Sequence, residues 1–487
     1  MIRNTSAWLS VAMMIGLAFC QFSVDSVIAD DEPATEEPAA EQTAEAGKPA
    51  RGKPASRRGK AAAKESLSPP RAVQVKLLRQ MKSNKPAIRT AAVRQLEEYP
   101  TAEAARFLMQ HGLGSSFDDV RLAAYQTLIA LNDEQPVADY VLTAIEKAIK
   151  RGEAAETTGS LLGVALASND SQTESRALGL FDKASRQPQG GPLVLALADT
   201  LGLQADETSL ATLVKMSNRP VFNERFALRR AVVGAMCRIP LAAATDALVK
   251  LLPTVTGEVR GDIVRHLTAT TGQQHDLDAQ AWIKWWNANQ NEFQLPKSGQ
   301  PVTSMSQAIK SAPTYYGLPL YSDRTVFVID TSASMSGGRI EAAKRELTTA
   351  ILALPEGVHF NVLAFDIAVT PWSDELLLAS KENKAAAVAF VLSRGLGPAT
   401  ASYNALRAAF EFDTESIYFL TDGEPAGGTI NDPTQIIVLL TEMNQSRRLT
   451  INSIGIGVGP PGLINPFDTF LSVLAKSNYG EYRRVDQ

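Results

Sequence analysis

Thr325-Val326-Phe327-Val328-Ile329 leads without a break into Asp330-Thr331-Ser332-Ala333-Ser334, and Gly337-Gly338 precedes a helically spaced stretch over 340–354. A run with no polar side has nothing to turn towards water, so it predicts a strand buried on both faces. Further strands are expected at 360–365, 417–420 and 450–456, with helical patterns at 402–410, 433–444 and 467–476. Strand and helix alternate. That order predicts a Rossmann-like, doubly wound α/β domain with a mainly parallel sheet covered on both faces. In such sheets a ligand sits beyond the carboxyl ends of the strands, where the strand order reverses. Asp330 and the hydroxyls after it stand at one such strand end.

Oxygen-bearing residues recur downstream. Thr400 opens Thr400-Ala401-Ser402-Tyr403-Asn404-Ala405-Leu406 ahead of a helix, and Asp422 lies in Phe419-Leu420-Thr421-Asp422-Gly423 just past a strand. With these residues in this order, the stretch 323–487 resembles the von Willebrand factor type A domain. The metal-binding (MIDAS) pattern of that family is Asp-x-Ser-x-Ser, then a Thr, then an Asp. The resemblance implies that Asp330, Ser332, Ser334, Thr400 and Asp422 hold a divalent cation, Mg²⁺ foremost, with Mn²⁺ or Ca²⁺ as alternatives. It also implies a protein partner that gives an Asp or Glu to the ion.

The residue types suit that chemistry. Mg²⁺ is a hard ion that prefers octahedral oxygen. Three neutral hydroxyls leave its charge only partly balanced, so a further anion is favoured. Two positions depart from the common pattern. Ala333 stands where many relatives carry Gly, and Pro398-Ala399 where a Gly pair is common; both substitutions restrict the backbone.

Recognition rather than catalysis is therefore the expectation: an exported binding or scaffold protein that docks a protein partner through Mg²⁺. One alternative is an assembly factor that works with an ATPase partner, since the chain itself has no complete Gly-x-x-x-x-Gly-Lys-Ser/Thr phosphate loop. Another is a metal-dependent hydrolase. A strand ending in Asp is shared with phosphatases whose nucleophile lies in Asp-x-Asp, but here the third position is Ser332. The four histidines, His111, His266, His275 and His359, are scattered, which argues against a His-rich zinc site. A formal net charge of −4 offers no global field for nucleic acid.

Residues 71–292 read as helix after helix. Ile88, Ala92 and Leu96 recur at helical spacing, as do Val120, Ala124, Leu128 and Leu131, and later Val259, Ile263 and Leu267. The region resembles HEAT-type repeats, in which helix pairs stack into a curved array. Trp282, Trp285 and Trp286 share one face of the last helix and predict a cap that buries its aromatics. Residues 293–322 are expected to link this region to the α/β domain, and the Tyr315-Tyr316 pair to pack on a neighbour.

The first 29 residues predict a bacterial-type secretory signal: Arg3, an apolar run over 7–22, then Val27-Ile28-Ala29 as a cleavage site. The run is short for a membrane span, which needs about 20 residues. No stable span is expected after cleavage, and the expected location is periplasm, cell envelope or outside the cell. Cys237 would then be the one cysteine left, a small buried hydrophobe rather than half of a disulfide. Residues 30–70 carry a block of seven acids and then a block of seven bases, with hardly any large apolar residue. This composition predicts a disordered, charged tether.

Overall fold

The computed structural model describes residues 68–152, 155–187, 191–296, 304–457 and 465–486. The signal expected at 1–29, and the tether expected at 30–70 save its last three residues, lie outside the described residues. Among the described residues no helix is long and apolar enough to cross a membrane.

The first part of the described chain is helical. Its helices are α1 (Arg71–Gln80), α2 (Pro86–Arg94), α3 (Ala102–Phe107), α4 (Asp118–Leu131), α5 (Gln135–Arg151), α6 (Ala155–Leu166), α7 (Ser171–Arg186), α8 (Gly191–Gln204), α9 (Glu207–Ser217), α10 (Pro220–Glu224), α11 (Phe226–Arg238), α12 (Ala242–Leu251), α13 (Gly257–Thr271) and α14 (Ala279–Asn289). Alternate helices touch in series. One layer runs α2, α4, α6, α8, α11, α13, and α3, α5 and α7 form a second layer beside it. Of the apolar positions recognised in the sequence, Ala92, Leu96, Val120, Ala124, Leu128, Leu131, Val259, Ile263 and Leu267 are buried, whereas Ile88 faces solvent. On α14, Trp282 and Trp286 are buried and donate their indole N–H groups to Asp276 O and Asp246 Oδ1 at 2.9 Å each.

Residues 304–320 build on to the α/β domain. Helix α15 (Met305–Ala308) leads to a two-stranded hairpin, β1 (Thr314–Tyr315) and β2 (Leu318–Pro319). Tyr315 is buried edge-on against Phe327, and the Tyr418 hydroxyl donates to Pro319 O at 2.6 Å.

The α/β domain follows in the order β3 (Arg324–Asp330), α16 (Arg339–Ala353), β4 (His359–Phe365), β5 (Val369–Pro371), β6 (Leu377–Leu378), α17 (Lys381–Ser393), α18 (Ser402–Phe410), β7 (Ser416–Thr421), α19 (Pro433–Arg447), β8 (Thr450–Ile456), α20 (Pro466–Ser477) and β9 (Tyr482–Val485). The sheet order is β5-β4-β3-β7-β8-β9, with β6 also paired to β4. Strands β4, β3, β7, β8 and β9 run parallel, and β5 and β6 are antiparallel additions at one edge. Phe327, Ile329, Tyr418 and Leu420 form one core with α16, α17 and the hairpin. Phe365 and Phe419 stack on the other face, which α18 and α20 cover. The central strands are buried almost throughout and largely apolar, because each face meets a helix layer. The chain lays strands outward from β3 in one direction and from β7 in the other. The switch point therefore lies between β3 and β7, beyond whose carboxyl ends stand Asp330 and Asp422.

The helical layer grips the opposite, amino ends of the same strands through buried polar groups. Arg230 on α11 donates to both Asp262 oxygens at 2.7 and 3.1 Å, and to Arg448 O and the Thr450 hydroxyl, both at 2.8 Å. Glu258 accepts from Thr450 at 2.7 Å, from Tyr321 at 3.2 Å and from Ser322. Arg448 reaches Asp199 on α8, and Glu415, just before β7, lies 3.7 Å from Arg229 and 3.4 Å from Arg324. Gly257 sits in this seam with φ +55°, and a Cβ there would lie 2.4 Å from a Glu415 carboxylate oxygen. Only glycine meets both demands without strain.

Candidate metal site at the switch point

The loop after β3 turns at once into a short 3-10 helix, Ala333–Met335, anchored by buried Met335. Thr331 fixes the loop to the neighbouring strand by donating its N–H and its hydroxyl to Phe365 O at 2.8 and 3.0 Å. The loop that carries Thr400 lies alongside. Ser332 bridges to Gly397 in parallel fashion, Gly397 N donates to Thr331 O at 2.7 Å, and Ala401 N donates to Asp366 O at 2.8 Å. A Cβ on Gly397 would come within 1.7 Å of Asp366 Oδ2, so this close approach requires glycine. Ala333, Pro398 and Ala399 are absent from the residues with positive φ, so the stiffer side chains there cause no strain of that kind.

Four of the five expected ligands meet directly. The Asp330 carboxylate accepts from Ser332 N at 2.7 Å and from the Thr421 hydroxyl. Ser334 Oγ donates to Asp422 Oδ1 at 2.8 Å, and Ser332 Oγ lies 2.9 Å from Ser334 Oγ. Because Ser334 gives its proton to a carboxylate, Ser332 is the donor in the contact between the two hydroxyls. Thr400 is buried and its carbonyl accepts from Ala426 N at 3.0 Å, which ties its loop to the segment after Asp422. Among the described residues no hydrogen bond links the Thr400 hydroxyl to the other four. Two neighbours stayed hidden in the sequence. Thr421 caps Asp330, and Arg339 Nη1 donates to Asp422 Oδ2 at 2.8 Å and to Ser334 O at 3.0 Å.

The donor set fits a hard divalent cation. The relay from Ser332 to Ser334 to Asp422 spends the hydroxyl protons on oxygen acceptors and leaves lone pairs for an ion. Asp330 has no solvent exposure, and among the described residues no ion pair reaches it. Burial pushes its carboxyl up to about 6, against the hydrogen bonds from Thr421 and Ser332, and the nearby Asp422 charge adds to the rise. A buried carboxylate without a cation is costly, and a metal ion beside it removes that cost.

The chain matches the von Willebrand factor type A family over residues 323–483. This stretch is a von Willebrand factor type A domain. It is similar to the inter-alpha-trypsin inhibitor heavy chain H1 of Bos taurus, with 30% identity over 173 residues, 33% of this chain and 18% of that one. The chain thus spans under a fifth of that relative's length. Among solved structures, a von Willebrand factor type A protein from Catenulispora acidiphila shares 22% identity, with a TM-score of 0.30, over 34% of this chain and 39% of the other. Proximal thread matrix protein 1 from the mussel byssus, solved with a zinc-occupied MIDAS motif, shares 21% identity, with a TM-score of 0.26, over 34% and 41%. Type A domains commonly mediate protein–protein interaction.

Proposed function

We propose that the type A domain docks a protein partner through a divalent cation, Mg²⁺ foremost, held by Asp330, Ser332, Ser334, Thr400 and Asp422. The supporting observation is the hydroxyl relay beside buried Asp330, which no ion pair reaches among the described residues, at the switch point. Because Arg339 pairs with Asp422, the two carboxylates do not fully balance a bound ion, and an Asp or Glu of the partner supplies the further anionic oxygen. In this reading the helical layer is a scaffold. It holds the amino ends of the strands, which leaves the carboxyl ends clear. The protein acts outside the cytoplasm, after export directed by its first residues, and performs no catalysis of its own.

Titration calorimetry with Mg²⁺, then with an acidic peptide, tests the site. Asp330→Ala and Asp422→Ala are each expected to abolish the metal-dependent step. Capture of partners from a native envelope fraction should fail in EDTA. Equal capture by wild type and Asp330→Ala in EDTA would sink metal-dependent docking and turn attention to the helical layer.

A further inference from the structure

We propose that Arg339 is a resident counter-cation for Asp422, competing with the divalent ion and so setting how readily the site loads. This rests on the metal reading above and concerns the same site. Asp422 has both oxygens engaged, Oδ1 by Ser334 and Oδ2 by Arg339. Its side chain has 0% exposure, whereas that of Arg339 has 32%, so the guanidinium covers the carboxylate while remaining free to swing into solvent. Through Ser334 O the same nitrogen also ties together the two loops that a metal would bridge.

The surroundings are built for this placement. Gly337 and Gly338, with φ +74° and +95°, turn the chain so that Arg339 opens α16 beside the site. Gly457, with φ +67°, leaves the space that the arginine uses, since a Cβ there would lie 2.6 Å from Arg339 Nε. The charge balance then follows. A divalent ion with Asp330 and Asp422 sums to zero, and Arg339 adds one positive charge beside the ion. Like charges at short range repel most where water is scarce, so the arginine opposes loading. Without the ion, the same arginine spares Asp422 from standing buried and unpaired.

The test is Mg²⁺ and Mn²⁺ titration of the full protein carrying Arg339→Met, Arg339→Gln or Arg339→Lys, with thermal melts in EDTA and in Mg²⁺. Met and Gln are expected to tighten metal binding about ten-fold and to lower the metal-free melting temperature, with the gap closing when Mg²⁺ is added. Lys, which keeps the charge, should stay within about three-fold of wild type. In an Asp422→Asn background, Arg339→Gln should lower the melting temperature in EDTA little, because the carboxylate that the arginine compensates is gone. Simple structural damage would weaken metal binding instead. A Gln variant with a wild-type far-UV spectrum that binds Mg²⁺ no more tightly than wild type overturns the role of Arg339 and leaves the metal site standing. Loss of the distinction between Lys and Gln also overturns it. No binding of either ion by any of these proteins overturns the metal reading, and this proposal with it.

Discussion

The two ends of the central sheet bury carboxylates in opposite ways. At the amino ends, Glu258 and Asp262 on α13 and Glu415 before β7 stand among Arg229 and Arg230 on α11 and Arg324 on β3. At the carboxyl ends, among the described residues, no ion pair reaches Asp330, which accepts from the Thr421 hydroxyl and Ser332 N, and Asp422 pairs with one partly exposed arginine and the Ser334 hydroxyl. In the first arrangement three guanidiniums face three carboxylates, although burial still raises Glu415; in the second a single guanidinium serves two carboxylates. The lesson is that burial alone does not mark a binding site. What marks it is burial without internal compensation, which an outside cation can supply.

The sharpest way to break the comparison is to remove compensation where it is fullest. Arg230→Met strands Asp262 and Glu258 in the seam and is expected to cost about 3–5 kcal/mol, read by chemical denaturation. A cost below about 1 kcal/mol would mean that the seam is as tolerant as a surface ion pair. Gly257→Ala imposes a left-handed backbone on a residue with a Cβ and drives that Cβ at Glu415. It is expected to cost about 2 kcal/mol or more, visible as a lowered melting temperature.

Titration sharpens the comparison further. Burial pushes Glu415 up to about 7, with Asp323 adding to the rise and Arg324 and Arg229 opposing it. A raised acid favours the folded state while protonated. Its contribution is therefore full below its ordinary value near 4.5 and is lost as pH climbs through about 7. Glu415→Gln should flatten that decline, by at most about 3 kcal/mol between pH 5 and 8, measured as stability against pH.

At the other end the sign is the same, because burial raises the Asp330 carboxyl as well. Asp330→Asn removes an uncompensated charge, so the metal-free protein should gain about 1–2 kcal/mol near neutral pH while losing its response to Mg²⁺. Destabilisation of the metal-free protein instead would show that Asp330 is structurally satisfied as a carboxylate. The smallest effect is expected from Thr400→Ala, which keeps the charge count. It should weaken Mg²⁺ binding about ten-fold and leave the melt in EDTA within about 1 °C, since roughly 0.5 kcal/mol is the usual bound for a change with no lost partner.

The sheet was legible because its inner strands are buried on both faces, which writes 325–329 and 417–420 as nearly unbroken apolar runs, while 450–456 alternates Ile451, Ile454 and Ile456 with polar residues and glycine. Strand β9 (Tyr482–Val485) is an exception. At the sheet edge its Tyr482-Arg483-Arg484-Val485 carries two arginines, so no apolar run signals it. The antiparallel β5 and β6 are too short to show a period. Of the site, the expected hydroxyls and carboxylates at Asp330, Ser332, Ser334 and Asp422 do converge. Arg339 and Thr421 could not be foreseen, because each acts on a residue more than 80 positions away. The seam was hidden for the same reason, since Arg230 and Thr450 meet only once both domains are folded.

The helical layer and the switch point sit at opposite ends of the same strands, β3, β7 and β8. Tension applied between the two would therefore run along the strand axes. It would load the parallel ladders in shear, so that many N–H···O bonds resist together instead of opening one by one. A chain pulled from its helices at one end and from the switch-point loops at the other is strung along its mechanically strongest direction.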